Sequence, residues 1–143
     1  MINPIEKTIT INALPATVWD ALTDPLKMKE WMGDPEMGIE IITDWKVGSP
    51  IVIKGFHHLK FENKGKVLQF EPNEILEYNY LSSLSRLPDQ PENYVTLSFR
   101  LTGLGDQTRL SLHISNFPTE TILKHIDFYW RTTIELFRKF AER

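Results

Sequence analysis

The C-terminal stretch of the chain constrains the fold most. After Pro118-Thr119, the residues Ile122, Ile126, Tyr129, Trp130, Thr133, Phe137 and Phe140 recur at helical spacing to the end. Thr119 is placed to cap the helix, which would run for roughly 24 residues and about 36 Å. A one-sided apolar stripe of that length needs a broad apolar surface to lie on. Only a sheet supplies one here, because every other helical segment is short.

The strands for such a sheet are legible. Val95, Leu97, Phe99 and Leu101 alternate with Tyr94, Thr96, Ser98 and Arg100. Beyond a Gly103-Leu104-Gly105-Asp106 turn, Leu110, Leu112 and Ile114 alternate with Arg109, Ser111, His113 and Ser115. That is an antiparallel sheet with one covered face and one wet face. Ile5, Ile9 and Ile11 predict a strand at the N-terminus, and further strands are predicted over 39–42, 51–56, 59–61 continuing through 67–70, and 75–81. Turns are expected at Val47-Gly48-Ser49-Pro50, Asn63-Lys64-Gly65 and Glu71-Pro72-Asn73-Glu74. The stretch 82–93, with Pro88 and Pro91, is expected to be a mobile loop.

Two short helices fill the gap after the first strand. Pro15 suits a first helical turn, where its missing N–H is no loss, and Val18, Trp19 and Leu22 follow at helical spacing. Asp24-Pro25 reads as an N-cap with proline at the first helical position, opening a second helix that carries Leu26, Met28 and Trp31. Gly33 and Pro35 stop it. The reading is a sheet wrapped around a long helix, with a cavity between them.

Composition removes several function classes. A chain of 143 residues, 41% hydrophobic and 24% charged, predicts one globular domain over 1–143. No apolar run is long enough to span a membrane, and the first residues lack the pattern of a secretory leader, so a cytoplasmic location is expected. Without cysteine there is no disulfide, thiolate nucleophile or cysteine metal site. A net charge of −3 with mixed signs argues against nucleic acid as a partner. The densest basic stretch, Lys60 to Lys66, is interrupted by Glu62 and reads as a solvated hairpin.

No catalytic constellation stands out. His57 and His58 are adjacent and would point to opposite faces of a strand. His113 falls on a polar strand face, and His125 beside Lys124, off the main apolar stripe. None has zinc-site spacing, so no metal is expected. Ser82, Ser83 and Ser85 lack a glycine elbow, the glycines form no phosphate cradle, and Glu71, Glu74 and Glu77 flank a turn as solvated carboxylates. Neither enzymatic activity nor a cofactor is expected. The aromatics say more. Trp19, Leu22, Leu112 and Ile126 read as core, whereas Tyr78, Tyr80, Phe99 and Trp130 suit a ligand pocket in the wedge between sheet and helix. Buried tyrosine hydroxyls would need partners there.

The run Ile11-Asn12-Ala13-Leu14-Pro15-Ala16-Thr17-Val18-Trp19-Asp20-Ala21-Leu22-Thr23-Asp24-Pro25, followed by Trp31, resembles the opening of START-like (SRPBCC) domains. The subgroup is that similar to the C-terminal domain of the activator of the 90-kDa heat-shock chaperone ATPase. Gly48, Gly65, Val67, Pro72, Leu76, Tyr78, Val95-Thr96, Thr108-Arg109-Leu110 and Trp130 extend the resemblance over nearly the whole chain. It implies an α+β helix-grip fold: a seven-stranded antiparallel sheet around a long C-terminal helix, with two short helices after the first strand. It also implies non-enzymatic binding of a small hydrophobic or aromatic molecule, with a chaperone-associated interaction module as the alternative. On this reading Trp31, Tyr78, Tyr80, Phe99, Trp130 and Phe137 shape the cavity. The resembled family often carries histidine where this chain has Ile114 and glycine where it has Tyr129, implying a smaller or more apolar pocket.

Overall fold

The computed structural model describes residues 2–143. In chain order the elements are β1 (Ile5–Ile11), α1 (Pro15–Thr23), α2 (Pro25–Met32), β2 (Glu40–Thr43), β3 (Pro50–His57), β4 (Leu59–Glu71), β5 (Ile75–Ser82), β6 (Val95–Leu104), β7 (Gln107–Ser115) and α3 (Glu120–Ala141). The strands form one seven-stranded antiparallel sheet in the order β1-β7-β6-β5-β4-β3-β2. With α3 against its apolar face this is the α+β helix-grip fold. Among the described residues no helix is long and apolar enough to cross a membrane.

Local chemistry accounts for the helical corner. Asp24 ends α1 and caps α2, its carboxylate accepting from the Leu26 N–H at 2.9 Å, with Pro25 next at the first helical position. Two indoles then lock the corner from the C-terminal end of α1. Trp31 Nε1 donates to the Ala21 carbonyl at 2.9 Å, and Trp45 Nε1 to the Thr23 carbonyl at 2.7 Å. Carbonyls in the last turn of a helix have no partner within it, so each indole satisfies a group left over by the helix itself.

The long helix is one-sided, as its periodicity requires. Thr119 caps it, accepting from the Ile122 N–H, and Ile126, Trp130, Thr133, Ile134, Phe137 and Ala141 are buried. Trp130 meets Phe99 of β6 edge-to-face at 5.8 Å between ring centres, and Phe137 meets Trp31 at 4.8 Å. The core therefore lies between α3, the α1–α2 corner and the inner side of the sheet.

One local expectation is corrected. Asn63-Lys64-Gly65 is not a turn: β4 runs unbroken through it for 13 residues, and the tight turn lies at His58, where φ is +66°. Lys60 to Lys66 is accordingly strand, paired on both sides in part. Gly65 serves a close approach. A Cβ there would sit 1.8 Å from the Asn79 carbonyl oxygen, while the Asn79 side-chain oxygen accepts from the Lys66 N–H at 2.8 Å. Register then shifts between Val67 and Gln69, the mark of a bulge that bends the sheet. The stretch 82–93 forms short 3₁₀ turns at Ser83–Ser85 and Pro91–Asn93. Asp89 ties it to the sheet by accepting from Lys64 at 2.7 Å and from the Tyr94 hydroxyl at 2.6 Å.

Candidate functional site

A cavity of about 290 Å³ lies between the sheet and the first half of α3. Ile53 of β3, Phe61 of β4, Tyr78 of β5 and Leu97 of β6 form its sheet side. Ile126, Tyr129 and Trp130 form its helix side, and Met32, Met37 and Ile39 close the end beneath α2. These walls are apolar and partly aromatic. Neither Lys, Arg, Asp nor Glu borders the cavity.

Polar side chains gather at one margin. Asn63, Ser82 and His125 border the cavity, with His57 at the tip of the β3–β4 hairpin. Asn63 and Ser82 are direct cross-strand neighbours. Along this margin the cavity adjoins a second hollow of about 430 Å³, which shares Asn63, Tyr80, Ser82, Leu84, His125 and Ile126 with it. The second hollow continues past Asn93, Thr119 and Thr121, so it is the more polar of the two. The site thus has an apolar chamber, a polar collar and an outer vestibule.

Three tyrosines face the chamber. Tyr78 is 3% exposed, and among the described residues neither its hydroxyl nor that of Tyr80 has a hydrogen-bond partner. Burial pushes both phenols well above the usual tyrosine range, so both stay protonated. Tyr129 differs. Its side chain is 39% exposed overall, yet its hydroxyl turns inward and donates to the Met32 carbonyl at 2.7 Å. Burial pushes its pKa up to about 12.

Of the six residues expected to shape the cavity, Tyr78, Tyr80 and Trp130 border it. Trp31, Phe99 and Phe137 are buried behind it. Phe99 backs the wall, stacked on Tyr78 at 6.2 Å and edge-on to Trp130, and Trp31 packs with Phe137 between α2 and α3. Ile114 is fully buried opposite Ile5 and Leu97 and does not border the cavity, whereas Tyr129 does. Sequence reasoning passed over His57, Asn63, Ser82 and His125. One signal pointed to His125: it lies four residues before Tyr129 and three after Ile122, at the edge of the apolar stripe. Among the described residues no group of three His, Asp or Glu side chains is placed to hold a metal ion.

Comparison with known proteins agrees with this fold. A solution structure of a protein from Cytophaga hutchinsonii is 36% identical, with a TM-score of 0.81, covering 99% of this chain and 95% of that one. A crystal structure of a protein from Chromobacterium violaceum superposes with a TM-score of 0.85 at 20% identity, covering 100% and 99%. The Aha1 dimer from Colwellia psychrerythraea gives 0.76 at 23% identity, covering 99% and 97%. At those lower identities the likeness is one of fold. No curated protein sequence matches the chain. The family model described as "Activator of Hsp90 ATPase homolog 1-like protein" matches residues 12–142, and the chain belongs to that family.

Proposed function

We propose that this domain binds a small hydrophobic or aromatic molecule in the chamber between the sheet and α3, without transforming it. One observation carries the reading. An apolar chamber of about 290 Å³ is bordered by Tyr78 and Tyr80, whose phenol hydroxyls engage none of the described residues. Well-packed interiors hold few voids larger than a water molecule, and buried polar groups are nearly always paired. A chamber that departs from the first habit, with two hydroxyl donors left uncommitted on its wall, has the character of a binding site. Trp130 and Tyr129 would grip the ligand from the helix, and Tyr78 and Tyr80 would orient its polar end.

The test is native mass spectrometry of the protein with thermal melts against a panel of aromatic compounds and lipids. Ligand that binds only the folded state raises its stability by about 2.7 kcal/mol at a hundredfold excess over Kd. A retained adduct together with a raised melting temperature is the expected result. Melting temperatures that stay fixed across the panel, with no adduct, would count against the reading.

Membership of the activator family supports a second reading, in which the domain docks on a heat-shock chaperone. Its test is separate. Stimulation of the chaperone's ATPase by this chain, unaffected by ligands of the chamber, would favour that role over the first.

A further inference from the structure

The chamber's chemistry is specific enough to describe the occupant more closely. Its lining holds no side chain with a fixed charge, and the two histidines near it, His57 and His125, are exposed at the margin. A charged group carried inside would lose its hydration with no counter-charge in return, which is strongly unfavourable. The rings of Phe61, Tyr129 and Trp130 and the thioethers of Met32 and Met37 offer flat, polarisable contact instead. Tyr129 has committed its proton to the Met32 carbonyl, so the unspent donors belong to Tyr78 and Tyr80. These two sit on one face of β5, two residues apart, and so stand side by side along a single wall.

Resting on the ligand-binding reading above, we propose that the occupant is an uncharged, ring-bearing molecule with a carbonyl-type oxygen that points at β5 and accepts from Tyr78 and Tyr80. A carbonyl oxygen has two lone pairs and no proton, which is the complement of two phenol donors. The retained protons support the assignment, since burial holds both phenols in their neutral form throughout the physiological range. The polar collar of Asn63, Ser82 and His125 then leaves room for substituents that reach the vestibule.

The test uses three compounds of one shape: fluorenone, which carries a ketone; fluorene, which lacks it; and fluorene-9-carboxylate, which is charged. Affinities are measured by calorimetry with the intact chain and with Tyr78→Phe and Tyr80→Phe, which keep the rings. Fluorenone is expected to bind about 3- to 10-fold more tightly than fluorene, the yield of one or two buried hydrogen bonds. The carboxylate is expected to bind at least about tenfold more weakly than fluorene. In the phenylalanine variants the preference for ketone over hydrocarbon should fall toward unity while fluorene affinity is kept. Equal binding of ketone and hydrocarbon by the unaltered chain, or tighter binding of the carboxylate, would overturn this assignment and leave the chamber's binding role standing. Binding of none of the three would overturn both.

Discussion

Phe137 and Phe128 lie on the same helix and have opposite fates. Phe137 is 1% exposed and packs edge-on against Trp31, whereas Phe128 is 73% exposed on the outer face of α3. Phe137→Ala is therefore expected to lower unfolding stability by about 3–5 kcal/mol, with the melting temperature falling accordingly. Phe128→Ala should stay within about 0.5 kcal/mol of the parent. Denaturant melts of the pair check both values. The same contrast shows what could be read residue by residue. Tyr78 and Tyr80 were legible as cavity-facing because strand alternation places them on the covered face with Leu76. Trp31, Phe99 and Phe137 were equally aromatic and equally buried, and periodicity carries no information on whether a buried ring meets a hollow or another ring. That distinction is made by the third dimension alone: Trp31 of α2 packs on Phe137, while Tyr78 borders the cavity.

Elements whose boundaries are set by local chemistry were read correctly from the chain. Asp24-Pro25 ends one helix and caps the next within two residues, and Thr119 starts α3, all through contacts a few positions away. The course of β4 was misread for the opposite reason. Asn63-Lys64-Gly65 has turn composition, yet Gly65 is present because the Asn79 carbonyl of the neighbouring strand comes too close for any side chain. That cause lies across the sheet and leaves no mark on the residues beside it. With a turn expected there, Asn63 on the strand was lost as a candidate for the site, while His57 at the hairpin end was weighed only as a metal ligand. Gly65→Ala forces a carbon against backbone, so the strands must part. The expected cost is about 2–4 kcal/mol, in the range of severe overpacking, seen as a lowered denaturant midpoint. Because β4 supplies Phe61 and Asn63 to the chamber's border, the same variant should also weaken ligand binding more than a core variant of equal stability loss.

For the molecule as a whole, the buried phenols couple stability to alkaline pH. In the unfolded chain tyrosines titrate near 10, whereas Tyr78, Tyr80 and Tyr129 are all raised by burial in the folded one. The folded state thus holds protons that the unfolded state has released. Their contribution to stability is full below about pH 10 and is lost as pH rises beyond it. Stability should be flat with respect to these groups between pH 7 and about 9, then fall by about 1.4 kcal/mol per pH unit for each of Tyr78 and Tyr80. Urea melts at stepped pH, followed with tyrosinate absorbance, check it. Tyr94, outside the chamber, can ionise in the folded protein, so a rise of more than one tyrosine's absorbance before unfolding would mean that the phenols are not held in the interior.

Methyl-resolved NMR observes directly where a ligand goes. Fluorenone titrated into the isotopically labelled protein should move the methyl signals of Met32, Met37, Ile39, Ile53, Leu97 and Ile126, which border the chamber from three sides. Leu14 and Leu26, exposed on the far side of the α1–α2 corner's packing, should stay still. Shifts confined to exposed methyls, with the chamber set unmoved at saturating ligand, would contradict the account.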